Sequence, residues 1–143
     1  MKQQIDVLDY TESILKGVKC GVLLTTAAEG RVNTMAISWG TLGIEWGRVI
    51  FTTFVRLGRF TREMLDKNGE FTVNIPLDGS DKSIVGKCGT CSGRAVDKIR
   101  QFNLTLVDGE KYLFQRSVNF HLRWNAVSSS SRYRTSRPCM SRK

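Results

Sequence analysis

Five short strand candidates, with no regular alternation of strands and helices, constrain the fold of this 143-residue chain more than any other feature. Apolar or alternating segments bounded by Gly, Pro or Asn predict strands over residues 18–26, 31–39, 48–55, 70–75 and 104–107. A doubly wound parallel sheet would need strand–helix alternation and a G-x-G-x-x-G turn after a strand, and the sequence has neither. The pattern therefore favours a mostly antiparallel β-barrel with inserted helices.

Helices are predicted from their capping residues. Asp9 and Glu12 form a cap-and-N3 pair that predicts a short helix ending at Gly17. Thr61 is expected to cap a helix that runs to residue 68, and Ser92 is expected to cap another. The segments 40–47 and 78–90 are predicted to be loops, the second with at most one helical turn.

The basic charge of the chain is concentrated at its C-terminal end. The chain has 22 basic and 13 acidic residues, a net charge of +9. From Lys111 onward there are eight basic residues and no acidic one, so residues 1–110 are close to neutral. Because this basic segment matches no nucleic-acid-binding module, we expect no nucleic-acid partner. No stretch is apolar over the length of a membrane span, and the first ten residues lack a secretory signal, so we expect a cytoplasmic protein without a membrane partner.

The spacing of cysteine and histidine predicts no metal site. Cys88 and Cys91 form a single C-x-x-C pair, whereas zinc needs a second pair or suitably spaced histidines, and His121 is the only histidine. A redox dithiol is an alternative, because a C-x-x-C pair at a helix start lowers the thiol pKa. No β-α-β pattern surrounds the pair, which favours ordinary reduced thiols.

The predicted strand "VNTMAISWG" separates two kinds of side chain. The face that can fill a barrel interior carries Asn33, Met35, Ile37 and Trp39. The opposite face carries the small residues Thr34, Ala36, Ser38 and Gly40. Small side chains let a flat ligand approach the backbone closely. The alternative interpretation is a strand that packs under a helix.

The segment "TTFVRLGRFTREML" combines groups that bind phosphate. Arg56 and Arg59 flank a glycine, and Thr61 follows at the predicted helix start. Guanidinium groups, a hydroxyl and the free N–H groups of a helix N-terminus together suit an anion. The alternative is a solvated surface that Arg62 and Glu63 continue. Together with the preceding strand, the segment suggests a mononucleotide cofactor.

Three motifs follow one another between residues 17 and 109: N-x-M-x-x-S-W, R-x-x-R-[FY]-T and S-G-R-x-x-D-K. In combination they resemble the flavin-reductase-like, FMN-binding split-barrel family, and its flavoredoxin-type members in particular. The resemblance implies a Greek-key split barrel that forms a homodimer and binds FMN near the subunit interface.

The resemblance also implies which residues hold FMN. The strand along the flavin ring would contribute Asn33, Thr34, Met35, Ser38 and Trp39. The segment that holds the ribityl phosphate would contribute Phe54, Val55, Arg56, Arg59 and Thr61. The edge of the pocket would be shaped by Ser92, Gly93, Arg94, Asp97 and Lys98. The family often has R-P-S-R-Y-T where this chain has "RLGRFT", so two hydroxyl groups are missing and we expect weaker FMN binding.

The function implied by the resemblance is that of an FMN-dependent oxidoreductase. Because the flavin carries the redox chemistry, no catalytic acid or base is assigned. NAD(P)H is the candidate electron donor, and the acceptor is a small molecule or a protein. The alternative is an FMN or haem carrier without turnover of its own.

Residues 111–143 are predicted to be a tail that follows a domain of residues 1–110. The tail is rich in serine and arginine, and we expect it to be an out-of-frame translation. Permitted codons for "HLRWNAVSSSSRYRTSRPCMSRK", read from the third base of each codon, can encode "FEMECRIKQFQVQDLQAMYES" and then a stop. The C-terminal part of the barrel is therefore expected to be incomplete and the tail disordered or poorly packed, which sequencing the gene would test.

Overall fold

The computed structural model describes residues 5–75, 83–108, 113–115 and 121–125, with residues 107–108 and the last two segments described as backbone only. A 3-10 turn, Leu8–Tyr10, precedes the first helix. The helices are α1 Thr11–Cys20, α2 Phe60–Lys67, α3 Ser83–Thr90 and α4 Lys98–Gln101. The strands are β1 Val22–Ala28, β2 Arg31–Ile37, β3 Thr41–Glu45, β4 Arg48–Thr52, β5 Glu70–Asn74, β6 Leu106–Asp108, β7 Leu113–Gln115 and β8 His121–Asn125. None of the described helices is long and apolar enough to cross a membrane.

The described strands pair antiparallel throughout and form three sheets. The largest has the strand order β2-β1-β5-β8, while β3 pairs with β4 and β6 with β7. The prediction of a mostly β fold with inserted helices is confirmed. Within the described residues these sheets remain separate and do not close into one barrel.

One face of the four-stranded sheet carries the hydrophobic core. The core consists of Ile14, Val18, Val22, Leu24, Met35, Ile37, Phe51, Val73 and Ile75. Ile14 and Val18 are four residues apart, so they lie on the same side of α1. Met35 and Ile37 confirm that this face of β2 fills the interior. Trp39 differs, with 39% of its surface exposed, because β2 ends at Ile37.

Helix α1 differs from its prediction at both ends. Tyr10 occupies the N-cap and makes no side-chain capping hydrogen bond, so the proposed Asp9–Glu12 cap was wrong. The helix also continues past Gly17, where a Cβ atom would overlap Ile75 Cγ2. That glycine is therefore required by packing. The helix ends instead at Gly21, whose φ of 108° is accessible to glycine and whose N–H donates to the carbonyls of Gly17 and Val18.

The predicted caps of α2 and α4 were also wrong. Arg59, with extended backbone, is the N-cap residue of α2, and Thr61 lies within the helix. Asp97 caps α4 by accepting hydrogen bonds from the N–H groups of Ile99 and Arg100 at 3.1 and 3.2 Å. The residue predicted to be that cap, Ser92, instead accepts a local hydrogen bond from the Arg94 N–H group.

Two elements were missed in segments predicted to be loops. Strand β3 pairs with β4 through a two-residue turn at Trp46 and Gly47, which have φ values of 48° and 70°. Two positive φ values are typical of the tight turns that join antiparallel strands. Helix α3 covers a segment predicted to hold at most one helical turn. Its two glycines hid the helical pattern, since glycine disfavours helix interiors.

Two strands lie beyond the predicted domain boundary at residue 110. Strand β7 pairs with β6, and β8 pairs with β5 so that Glu70 is opposite Asn125. Residues 126–143, which form most of the predicted tail, lie outside the described residues. The boundary and the out-of-frame origin of the tail therefore stay predictions.

Candidate functional site

The segment of residues 53–61, which comprises the connection after β4 and the first two residues of α2, is hydrogen-bonded to the β2 region at both of its ends. At the first end the indole N–H of Trp39 donates to the carbonyl of Phe54 at 2.8 Å, and the hydroxyl of Thr53 donates to the carbonyl of Trp39 at 3.0 Å. At the second end Asn33 Nδ2 donates to Thr61 Oγ1 at 2.9 Å. Because both ends are attached, the ring-binding strand and the phosphate-binding segment predicted from sequence are held together.

Five of the predicted site residues are exposed where these two elements meet. They are Ser38, Trp39, Phe54, Arg56 and Arg59. The guanidinium carbon of Arg56 lies 5.9 Å from the centre of the Trp39 ring, within the range of a cation–π contact. The structure thus brings a flat aromatic surface and a cationic surface into contact.

The N-terminus of α2 is suited to an anion. Its N-cap residue, Arg59, makes no side-chain capping hydrogen bond, and the first N–H groups of a helix lack partners within the helix. Among the described residues neither Arg56 nor Arg59 forms an ion pair, whereas neighbouring Arg62 bonds to Asp66 at 2.8 Å. Two arginines without an ion-pair partner in the described part of the chain therefore directly precede a positive helix end.

The side chains of the other five predicted site residues already contact other parts of the protein. Asn33 and Thr61 bond to each other, Met35 lies in the core, and Val55 packs against the core. Thr34 is fully buried, and its hydroxyl bonds to Thr25 and to the carbonyl of Leu24. Of these five, Asn33, Thr34, Met35 and Thr61 are at least nine-tenths buried, so a ligand could reach them mainly through their backbone groups.

Residues 92–98, the third sequence motif, join β2 to the 53–61 segment. Arg94 donates to the carbonyl of Gly58 at 3.3 Å and forms an ion pair with Glu63. A Cβ atom at Gly93 would overlap Asn33 Oδ1 and lie 2.8 Å from Phe60 Cδ1, so this position admits only glycine without rearrangement. Through these contacts the motif fixes the position of the 53–61 segment relative to β2.

Arg31 is a further part of this site that sequence reasoning missed. Its guanidinium donates to the carbonyl of Gly93 at 3.1 Å and lies 5.0 Å from the centre of the Phe60 ring. It thus attaches the start of β2 to both neighbouring segments. The sequence gave no indication that Arg31 has a structural role, because an arginine at the first residue of a strand is usually solvated.

The redox-dithiol alternative needs the C-x-x-C pair at a helix start. Cys88 instead lies in the last turn of α3, and Cys91 follows the last residue of that helix. Burial raises the pKa of the Cys88 thiol to about 11, although the nearby charge of Lys98 opposes the shift. Cys91 donates to the carbonyl of Lys87 at 3.6 Å. A protonated, buried thiol is a poor nucleophile, so the geometry disfavours dithiol chemistry.

Solved structures of three proteins share the fold. An FMN-binding domain of a flavin reductases-like enzyme from Shewanella baltica has a TM-score of 0.65 and 18% identity, covering 78% of this chain and 59% of that chain. Flavoredoxin from Methanosarcina acetivorans has a TM-score of 0.61 and 27% identity, covering 72% and 54%. Flavoredoxin of Desulfovibrio vulgaris has a TM-score of 0.56 and 24% identity, covering 67% and 53%. A comparison with curated proteins finds no match.

The fold is therefore that of the flavin-reductase-like, FMN-binding proteins, which confirms the fold class expected from sequence. The family model described as flavin reductase like domain matches residues 16–123. The chain belongs to the flavin reductase like domain family. The match begins within one residue of the predicted start at Gly17 and extends past Gly109. The chain spans 53–59% of the length of these three solved proteins.

Proposed function

We propose that this protein binds FMN and acts as a flavin-reductase-like oxidoreductase that transfers electrons through the bound flavin. One observation carries the proposal: the N-terminus of α2, which has no side-chain cap, directly follows two arginines that form no ion pair among the described residues, and Arg56 lies beside the exposed indole of Trp39. A cationic helix end beside an aromatic surface fits a ligand with a phosphate at one end and a flat ring at the other.

The phosphate of FMN would be held by Arg56, Arg59 and the first N–H groups of α2. Hydrogen bonds to a charged group contribute about 1.5–3 kcal/mol each. The buried hydroxyl of Thr61 accepts a hydrogen bond from Asn33, so its role in this proposal is to position the helix start. The missing hydroxyl groups of the "RLGRFT" segment leave the two arginines as the principal side-chain donors.

The flavin ring would lie along the exposed end of the β2 region, at Ser38 and Trp39, with Phe54 nearby. When bound, FMN supplies the hydride and electron chemistry. The protein's own residues bind and orient it: the hydrogen bond from Trp39 to the Phe54 carbonyl fixes the indole, and the buried side chains of Thr34 and Met35 keep the strand rigid. NAD(P)H is the proposed donor, and a small molecule or a protein is the proposed acceptor.

An anaerobic reduction experiment tests this function. The protein is reconstituted with FMN, freed of excess flavin, and mixed with NADH or NADPH while the flavin absorbance is followed. Loss of absorbance faster than for free FMN is the expected result. Bound flavin that neither nucleotide reduces would contradict the NAD(P)H-dependent activity and favour a carrier of FMN. A protein that binds haem and no FMN would contradict the proposal as a whole.

The proposal also includes the partners and the cellular location that the sequence led us to expect. Trp39, Phe54 and Leu57 expose 39%, 70% and 79% of their surface beside the candidate site, and we expect a second copy of the chain to cover them. A homodimer formed this way would place the flavin near the subunit interface. We further propose a cytoplasmic protein with neither a nucleic-acid nor a membrane partner.

A further inference from the structure

Lys98 is a buried cation that the proposed function does not yet use. Only 4% of its surface is exposed, and its ammonium group donates hydrogen bonds to two backbone carbonyls. One carbonyl belongs to Thr34 in β2, at 2.9 Å, and the other to Cys88 in α3, at 2.7 Å. Lysine is among the residues least often buried in proteins. Its position therefore needs an explanation beyond the filling of space.

The surroundings of Lys98 act on its charge in both directions, and burial, which disfavours the charge, has the largest effect. The carbonyl of Cys88 lies in the last turn of α3, where the helix dipole favours a cation. Burial lowers the pKa of Lys98 from its ordinary value of 10.5, and the charge of Arg59 lowers it further, while the thiols of Cys91 and Cys88 act in the opposite direction. The like charge of Arg59 is the smallest of these four influences on the pKa.

The segment that carries Lys98 is attached to the proposed phosphate site at several points. Arg94, four residues earlier, bonds to the carbonyl of Gly58, the residue before Arg59. Gly93 packs against Asn33 and Phe60, and Phe60 is the first residue of α2. Lys98 itself bonds to the middle of β2. Its ammonium group therefore bonds to β2 one residue after Asn33, which bonds to Thr61 in the first turn of α2.

We propose that Lys98 is a positioning residue of the FMN site, whose buried positive charge attracts the phosphate of FMN held at the N-terminus of α2. This inference rests on the proposed FMN binding. Without an anion the charges of Lys98 and Arg59 repel each other, and a bound phosphate would relieve that repulsion. The contribution of Lys98 is electrostatic and selects for flavins that carry a phosphate, so FMN benefits from it and riboflavin does not.

The test compares the affinities of FMN and riboflavin, which share the ring and differ in the phosphate. Lys98→Met keeps an unbranched side chain of similar length and removes the charge and both hydrogen bonds. Lys98→Gln removes the charge and keeps an N–H donor. Lys19→Met, at an exposed position on α1, is the matched control for loss of one positive charge. Each variant is first checked for folding by thermal melting, and both affinities are then measured by quenching of flavin fluorescence.

The expected result is a loss of FMN affinity on the order of tenfold in both Lys98 variants, the size of one charge interaction near a protein surface. Their riboflavin affinity and both affinities of the control variant should stay within twofold of wild type. Equal losses for FMN and riboflavin, unchanged FMN affinity, or failure of both Lys98 variants to fold would overturn the inference and leave Lys98 a purely structural role. If the wild-type protein binds no flavin at all, the proposed function itself fails, which is a distinguishable outcome.

Discussion

Asn33 donates a hydrogen bond of 2.9 Å from Nδ2 to the hydroxyl of Thr61, and the two residues are only 4% and 2% exposed. This bond joins β2 to the first turn of α2. It also means that the Thr61 hydroxyl, which the sequence assigned to the phosphate, faces another side chain of the protein. The bond therefore determines where the start of α2 lies relative to β2.

Replacing Thr61 by valine should destabilise the protein by about 1–3 kcal/mol, the cost of leaving a buried hydrogen-bonding group without its partner. Thr61→Ser keeps the hydroxyl and serves as the control. Urea denaturation of both variants measures the free energy of unfolding. Equal stability of Thr61→Val and Thr61→Ser, together with a selective loss of FMN affinity in the valine variant, would instead show that the hydroxyl contacts the ligand.

Gly93→Ala should destabilise the protein by about 1–3 kcal/mol, the usual cost of overpacking. The new methyl group would overlap Asn33 Oδ1, and the bond from Asn33 to Thr61 keeps that side chain from moving aside. Gly86→Ala in α3 is the control, because nothing lies within 4 Å of its Cβ position and alanine favours a helix by roughly 0.5–1 kcal/mol. The melting temperature should fall for Gly93→Ala and rise for Gly86→Ala. A shift of both in the same direction would argue against the packing seen at Gly93.

Alkylation should distinguish Cys88 from Cys20. Iodoacetamide at about pH 8, a little below the ordinary thiol pKa, should modify exposed Cys20 quickly and buried Cys88 slowly. Peptide mass spectrometry over a time course measures both rates in one sample. Comparable rates for the two thiols in the folded protein would contradict the burial of Cys88.

The stability contributed by Cys88 should depend on pH. Its pKa is raised from 9.0 to about 11, so the folded state holds its proton more tightly than the unfolded state does. That contribution is fully present below about pH 9 and is lost as pH rises towards 11. Over this range the melting temperature of the wild type should fall more steeply than that of Cys88→Ala. Parallel profiles would contradict the raised pKa.

Self-association should depend on the exposed apolar residues beside the site. Leu57→Ser should shift the protein from dimer to monomer, since Leu57 is 79% exposed and adjacent to the proposed phosphate site. Leu15→Ser removes a similar side chain from the exposed part of α1 and should leave the dimer intact. Sedimentation velocity over a range of concentrations gives the distribution of species. A wild-type monomer at all concentrations would refute the proposed dimer.

The sequence predicted those features of the fold that depend on local alternation and on turn residues. The alternation of Met35 and Ile37 with smaller residues identified the core face of β2, and the segment around Arg56 and Arg59 identified the cationic surface. Contacts between distant segments could not be predicted in the same way. Gly17 resembles a helix terminator, yet it is required by packing against Ile75.

The burial of Lys98 was equally invisible in the sequence. A lysine that follows a capping aspartate in a short helix is normally solvated, and only the packing of α3 and β2 on either side encloses it. The same applies to Thr61, whose place at a helix start suggested a cap until Asn33 was found opposite it. These partners lie between 10 and 64 residues away in the chain, so local patterns carry no information about them.

Equilibrium titration of the flavin-free protein with FMN is the decisive test of the proposed FMN site. We expect saturable binding by the wild type and a loss of about 1.5–3 kcal/mol in binding free energy for Arg59→Ala, the value of a hydrogen bond to a charged group. Arg48→Ala, at an exposed arginine on β4, should bind FMN as the wild type does. Absence of FMN binding by the wild type, or equal affinities for all three proteins, would contradict the assignment of the FMN phosphate to the N-terminus of α2.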